Sequence, residues 1–410
     1  MALRRTLLTL TTGLALTIGM SPLAPAGAES VDAEAADILA SAPSGEPVTV
    51  VTTTQTADGP QFSTKVTRSR GEALDVISSA LDSSSVDAVD VAHPVSIAVT
   101  AAKKKSKSKK SKRVKRSNDS LRKRQWALNR LDVEKVWRKS SGKRAVVAVI
   151  DTGVWASHPD LKGRVLKGRD FIENDRSAGD RNGHGTHVAG IIAAKANNKR
   201  GIAGVAPSAK ILPVRVLNAA GAGNTATVAR GIVYAVNKKA DVINLSLAGV
   251  QSDAQLQAAI RYAQSRNVVV VAAAGNRGCG APASYPAAYP GVIGVGAIHR
   301  NGGVDRYSNC GSYVDLVAPG TSIRSTVIRH PSLGLPCQYG KDYCMMSGTS
   351  MAAPHVAAAA AILKSRTKRG MGPNKIKRLL LTKADDIVTP GYDTTSGFGV
   401  LNIKRSLSGR

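Results

Sequence analysis

The chain has 410 residues, 43% of them apolar and 21% charged, with 39 glycines spread along it. Such a composition can bury one or more cores and excludes both a disordered and a collagen-like protein. Lys+Arg 57 against Asp+Glu 28 give a net charge of +29, made up of +2 over residues 1–28, −8 over 29–102, +10 over 103–116 and +25 over 117–410, which excludes one uniform domain and suits anionic partners.

Residues 1–28 read as a secretory signal. Arg4 and Arg5 precede the apolar run Leu7–Met20, and Ala26-Gly27-Ala28 supplies small residues for cleavage. The run falls short of the about 20 apolar residues that a membrane span needs, and no later stretch qualifies, so an exported protein without a membrane span is expected. Residues 29–102 contain VTVVTTT and VSIAVTA as strands, with helix-compatible spacing over 71–81 between them. This predicts a small α+β unit of marginal independent stability. Residues 103–124 form a basic linker, whose run KKKSKSKKSKRVKR at 103–116 repels itself and stays extended and open to proteases. A nucleic-acid tail is the other reading of such a run; the export signal upstream argues against it, so no specific nucleic-acid partner is expected.

From residue 125 to 410 short apolar runs alternate with helical periodicity. Strands are predicted at Ala145–Ile150, Ile211–Leu217, Val242–Leu247, Val268–Ala274, Val292–Ile298 and Val314–Val317, and helices at 184–195, 225–238, 253–266, 350–365 and 373–382. Runs apolar at nearly every position are covered on both faces, so the fold class is α/β: a doubly wound, mostly parallel sheet with helices on both sides. Such folds bind ligands outside the carboxyl ends of their strands.

Four polar positions stand at those ends. Asp151 closes VAVID and can hold an imidazole in one tautomer. His184, in NGHGTHVAG, enters a helix between two glycines. His187 follows one turn on, but HExxH spacing is missing, so it reads as a packed structural residue rather than a zinc ligand. Ser350, after Gly348-Thr349, opens an Ala-rich helix whose amides favour developing negative charge. Pro354 cannot donate to the Ser350 carbonyl, so this helix start is not a routine one. Asn276 ends VVVAAAGN and can donate to an oxyanion.

Together these segments, and the strings HGTHVAG and GTSMAAPH above all, resemble the subtilisin-like serine protease family (subtilases) from Gln125-Trp126 to Gly397-Phe398-Gly399. The order Asp151, His184, Ser350 is that family's order. The resemblance implies a secreted serine endopeptidase of broad specificity, with Ser350 as nucleophile, His184 as general base and acid, Asp151 orienting it, and Asn276 in the oxyanion hole. Residues 29–102 look like the family's inhibitory prodomain, an intramolecular partner of a self-processing zymogen. Polypeptide substrates would pair with Ser246, Leu247, Ala248 and Gly249 on one side and with the stretch from Leu217 to Gly223 on the other. The primary pocket would be lined by Ala274 and Gly275, with Ser284 near its base and Arg277 at its mouth, disfavouring Lys or Arg before the scissile bond. Asp160 and Asn198 match the family's structural calcium site; no cofactor is expected for catalysis. A mature N-terminus between 101 and 125 and a monomer are expected.

Four cysteines allow three pairings, and export favours disulfides. Cys337–Cys344, closing a short loop ahead of Ser350, and Cys279–Cys310 are the expected pairs. Two other readings compete. An esterase or acyltransferase would use the same serine, but G-x-S-x-G is absent. A catalytically dead basic binding protein would leave one of the four positions unfilled, and all are filled.

Overall fold

The computed structural model describes residues 31–45, 47–99, 116–331, 342–366 and 371–409. The expected signal at 1–28, nearly all of the run 103–116, and Cys337 lie outside the described residues.

The N-terminal unit comprises α1 (Val31–Ala40), β1 (Val48–Thr56), β2 (Gly59–Thr67), α2 (Arg70–Leu81), β3 (Ala88–Val91) and β4 (Pro94–Ile97). β1 lies between β2 and β3 in an antiparallel sheet. Val48 and Val50 face a small core that α1 and α2 close with Ala35, Leu39, Ala73 and Ile77. α2 starts where Ser69 accepts from the Glu72 N–H and Glu72 Oε2 accepts from the Arg68 N–H, a reciprocal cap written in the sequence. α1, β2 and β3 were not expected, because β2 exposes most of its side chains and shows no apolar run. VSIAVTA does not join this sheet: β4 crosses to the body of the protein.

The body begins with a 3-10 turn (Arg122–Arg124), α3 (Trp126–Arg130) and α4 (Val133–Trp137). Next come β5 (Val146–Asp151), β6 (Arg169–Asp170), α5 (His184–Ala193), β7 (Lys210–Arg215), β8 (Ala222–Asn224), α6 (Thr225–Asn237), β9 (Val242–Leu245), β10 (Leu247–Ala248) and α7 (Ala254–Ser265). It ends with β11 (Val269–Ala273), β12 (Ile293–Ile298), β13 (Leu316–Pro319), β14 (Ile323–Thr326), β15 (Tyr343–Met346), α8 (Thr349–Lys364), α9 (Pro373–Thr382) and α10 (Ile403–Ser406). Seven strands form one parallel sheet in the order β13-β12-β11-β9-β5-β7-β6. Along β5, Val147 and Val149 feed the core shared with α5 and α8, while Ala148 and Ile150 feed the core shared with α6 and α7. Burial of both faces explains the continuous apolar runs. The run Val242–Leu247 is not one strand, because the ladder breaks at Ser246: β9 pairs with β5 and β11, and β10 pairs with β4.

Cys279 and Cys310 form a disulfide. Cys344 is buried. No described helix is long and apolar enough to cross a membrane.

Candidate active site

Asp151, at the carboxyl end of β5, is fully buried. Its Oδ1 accepts from His184 Nδ1 at 2.7 Å and from the Thr152 N–H at 2.7 Å. A carboxylate facing Nδ1 fixes the proton there and leaves Nε2 as the acceptor. His184 is the first residue of α5, and Asp180 ties its loop to β5. The Asp180 carboxylate accepts from the Asn182, Gly183 and Thr186 N–H groups and from both the Thr186 and Thr152 hydroxyls. Thr152 Oγ1 in turn accepts from the Gly185 N–H.

Ser350 is the second residue of α8 rather than its cap. Pro354 leaves the Ser350 carbonyl without its i+4 donor, and the structure shows what replaces it. Ser246 Oγ donates to Ser350 O at 2.9 Å, and Asn244 Nδ2 donates to Ser246 Oγ at 2.8 Å. The break between β9 and β10 thus braces the helix start.

Asn276 lies alongside. Its Oδ1 accepts from both the N–H and the hydroxyl of Thr349, each at 2.9 Å. The Thr349 N–H can only donate, so the amide orientation is fixed. Nδ2 points the other way, buried and without a hydrogen bond.

The cleft beside these groups is filled by the chain's own residues 94–99. β4 runs antiparallel to β8 (Val95↔Gly223, Ser96↔Ala222) and to β10 (Ser96↔Ala248, Ile97↔Leu247). Those are the two stretches expected to pin a peptide. Val95 is buried against the core that contains Leu247. The Ala98 carbonyl accepts from the Ser350 N–H at 3.3 Å. A Cβ on Gly348 (φ +152) would stand 2.2 Å from Ala98 O and 3.0 Å from Asn276 Nδ2. Only glycine leaves room for that carbonyl between the two donors. The Ala98 N–H donates to Ser350 Oγ at 3.0 Å, and that hydroxyl donates to Ser246 O at 2.8 Å. With the cleft filled, the hydroxyl therefore does not bond to His184, whose Nε2 has no hydrogen bond.

At the expected primary pocket, Gly249 pairs with Tyr285 through both backbone bonds, bringing Ser284 beside Gly275. Asn309, fully buried and not foreseen, donates to Ser284 Oγ at 3.0 Å and accepts from the Arg277 N–H at 2.7 Å. Ala274 is fully buried. The Arg277 side chain is exposed.

Asp160 and Asn198 do meet, with Asn198 Nδ2 donating to Asp160 Oδ1 at 2.8 Å. Asn198 Oδ1 accepts from the Arg200 N–H, so the amide oxygen is engaged within its own loop. Asp119, missed in the sequence, accepts from the Asn197 and Asn198 N–H groups. Asp119 and Asp160 are both buried, neither has an ion-pair partner among the described residues, and burial pushes the Asp160 carboxyl pKa upward. Carboxylates are the oxygen donors that a hard cation takes; here the oxygens of Asp119 accept from two N–H groups, and those of Asp160 from Asn198 Nδ2, the Ile202 N–H and the Tyr343 hydroxyl. No cluster of three or more His, Cys, Asp or Glu that could hold a metal occurs among the described residues.

His187 and His355 are packed core residues. His187 Nε2 faces the Ile323 and Cys344 carbonyls, and His355 Nδ1 faces the Met351 carbonyl. Burial, helped by the nearby His184, pushes His187 down to about 3, and burial pushes His355 down to about 4. Unfolded imidazoles titrate near 6.5, so below that pH the unfolded chain binds protons that the folded one refuses. The stability these groups provide is complete above about pH 6.5 and falls as pH drops toward 4, by about 1.4 kcal/mol per pH unit for each group. Thermal melting between pH 7 and 4 is expected to show that fall, and His355→Gln is expected to make it shallower; equal slopes would contradict this assignment.

The body matches the model of the Subtilase family over residues 142–399. Thermitase of Thermoactinomyces vulgaris is 44% identical over 268 residues, which are 65% of this chain and 91% of thermitase. Subtilisin Savinase of Lederbergia lenta is 43% identical over 242 residues, 59% of this chain and 84% of its own length. Among solved structures, fervidolysin from Fervidobacterium pennivorans, described as a keratinolytic enzyme related to subtilisin, gives a TM-score of 0.75 at 29% identity, covering 89% of this chain and 61% of that one. The chain belongs to the subtilase family and is a serine-type endopeptidase.

Proposed function

We propose that this endopeptidase is made as an exported zymogen, that residues 29–102 are its inhibitory prodomain, and that it first cuts its own chain between Ala98 and Val99. The observation that carries this reading is the Ala98 carbonyl, held at the Ser350 N–H and facing Asn276. The first cut then falls just ahead of the window of 101 to 125 expected for the mature N-terminus, and trimming of the basic linker follows it.

The chemistry begins when the Ser350 hydroxyl turns from Ser246 O to His184 Nε2. Oγ attacks the Ala98 carbonyl carbon as its proton passes to Nε2, and Asp151 stabilises the imidazolium through Nδ1. Negative charge on the carbonyl oxygen is met by Asn276 Nδ2 and the Ser350 N–H. Collapse breaks the C–N bond, His184 gives its proton to the Val99 amine, and an acyl-enzyme remains. Water, deprotonated by His184, then releases the Ala98 carboxylate.

Because the cleft holds its occupant by backbone pairing on both sides, polypeptide substrates bind with broad specificity. The docked segment names a good one. The tetrapeptide VSIA with a C-terminal p-nitroanilide is expected to be hydrolysed, and its Ala→Lys counterpart at least tenfold more slowly, because Arg277 stands at the pocket mouth. Faster hydrolysis of the Lys peptide would overturn the assignment of Arg277; no hydrolysis of either peptide by the released body would overturn the substrate reading.

The calcium reading rests on Asp119 and Asp160, which would hold the ion by charge and oxygen chemistry and tie the start of the body to the loop at 197–202. Calcium is expected to raise the melting temperature and EGTA to lower it, the gain following ligand excess over Kd. An unchanged melting temperature in EGTA would remove the site. The released body acts as a monomer.

A further inference from the structure

We propose that the face of the body farthest from Ser350 is a docking surface for a linear polysaccharide that carries repeated anionic groups. α8 has 16 residues, so about 24 Å of helix separates the nucleophile from Ser365 and Arg366 at its far end. Two shallow recesses open there. Lys139, Lys143, Arg144 and Arg366 rim the first, with Trp137 in its wall. Lys383, Lys404 and Arg405 rim the second, beside Arg130. A ridge joins them, formed where Lys139 Nζ donates to Ser408 Oγ and Arg366 donates to the Leu407 carbonyl.

The charges on this face are not balanced locally. Asp385 is taken by Arg130 and Arg405, and Asp132 by Lys135. Lys143, Arg144, Arg366, Lys383 and Lys404 have no ion pair among the described residues, and all but the half-buried Lys383 are exposed. Neighbouring cations without counter-charges repel one another and bind condensed anions strongly. The shape then selects among polyanions. A track of two recesses suits a strand rather than a flat bilayer. None of the exposed large apolar side chains (Val66, Leu166, Val250, Val388, Tyr392 and Phe398) lines either recess, so nothing there would insert into lipid. Trp137 supplies an apolar ring edge and Ser140, Ser141 and Ser365 supply hydroxyls in the first recess, which suits a sugar ring between charged groups. The described part of the N-terminal unit packs against α6 and α7 instead, so among the described residues that unit leaves this face uncovered.

The test uses the processed wild-type protein, and heparin is the probe. Binding in 0.15 M NaCl, weakening linearly in log K against log salt, is expected. Replacing Lys143, Arg144, Arg366 and Lys404 together with serine is expected to weaken binding at least tenfold and flatten the salt slope. Hydrolysis of the VSIA anilide should stay unchanged. A control variant with Lys162, Lys167, Arg176 and Arg300 changed to serine carries the same net charge and should bind like wild type. An equal loss in the control, or no heparin binding at all, would overturn the surface. Inorganic polyphosphate or phosphatidylglycerol vesicles binding as tightly as heparin would overturn the polysaccharide.

Discussion

Ser350→Ala is expected to lower turnover of the VSIA anilide by roughly 10⁶-fold with the peptide still bound. The alanine keeps α8 and the Ser350 N–H, so the oxyanion site stays half built and the cleft still pairs with a strand. What disappears is the atom proposed to form the acyl bond, leaving only positioning and hydrogen bonding to act on water. Removing His184 should cost nearly as much, because Oγ then has no base within its hydrogen-bonding reach; the two losses should not add, since both residues serve one step. Rates from the single and double variants, with peptide affinity measured alongside, check this. A double variant much slower than either single one would contradict the shared step.

Asn276→Ala is expected to lower kcat by about 10²- to 10³-fold and to leave KM nearly unchanged. The amide oxygen is held by the Thr349 N–H and hydroxyl, so Nδ2 is aimed before any substrate arrives and needs no reorganisation when charge develops. A ground-state carbonyl gains little from it: Nδ2 has no hydrogen bond even with Ala98 docked. On the proposed mechanism the benefit therefore belongs to the transition state. Thr349→Val should reproduce part of the loss by removing one of the two bonds that fix the amide. A rise in KM with kcat intact would show instead that Asn276 binds substrate.

Much of this site is legible in the chain because its groups sit in local strings. Asp151, His184, Asn276 and Ser350 each close or open an element whose burial pattern is written nearby. The parallel sheet follows from apolar runs buried on both faces. The supporting residues are harder to find. Ser246 matters because Pro354, more than a hundred positions away, leaves a carbonyl open. Asn309 matters because folding brings it under Ser284 and Arg277, and Asp119 because the start of the body folds onto the loop at 197–202. None of these pairings has a local signal. The same holds for β4, whose alternation says strand but whose partners, β8 and β10, lie in the other unit. α1, β2 and β3 went unseen because a small unit with one buried face shows few apolar residues in a row.

The central claim is that residues 94–99 lie in the cleft as a substrate, with the Ala98 carbonyl at Ser350. The most direct measurement is intact-mass analysis and N-terminal sequencing of the full chain and its Ser350→Ala variant, expressed side by side. The account predicts a released fragment ending at Ala98 from the unmutated chain at early times, with a body beginning VTAAK, and an uncut Ala98–Val99 bond in the variant. The same cut in both proteins, or a first cut elsewhere, would contradict it.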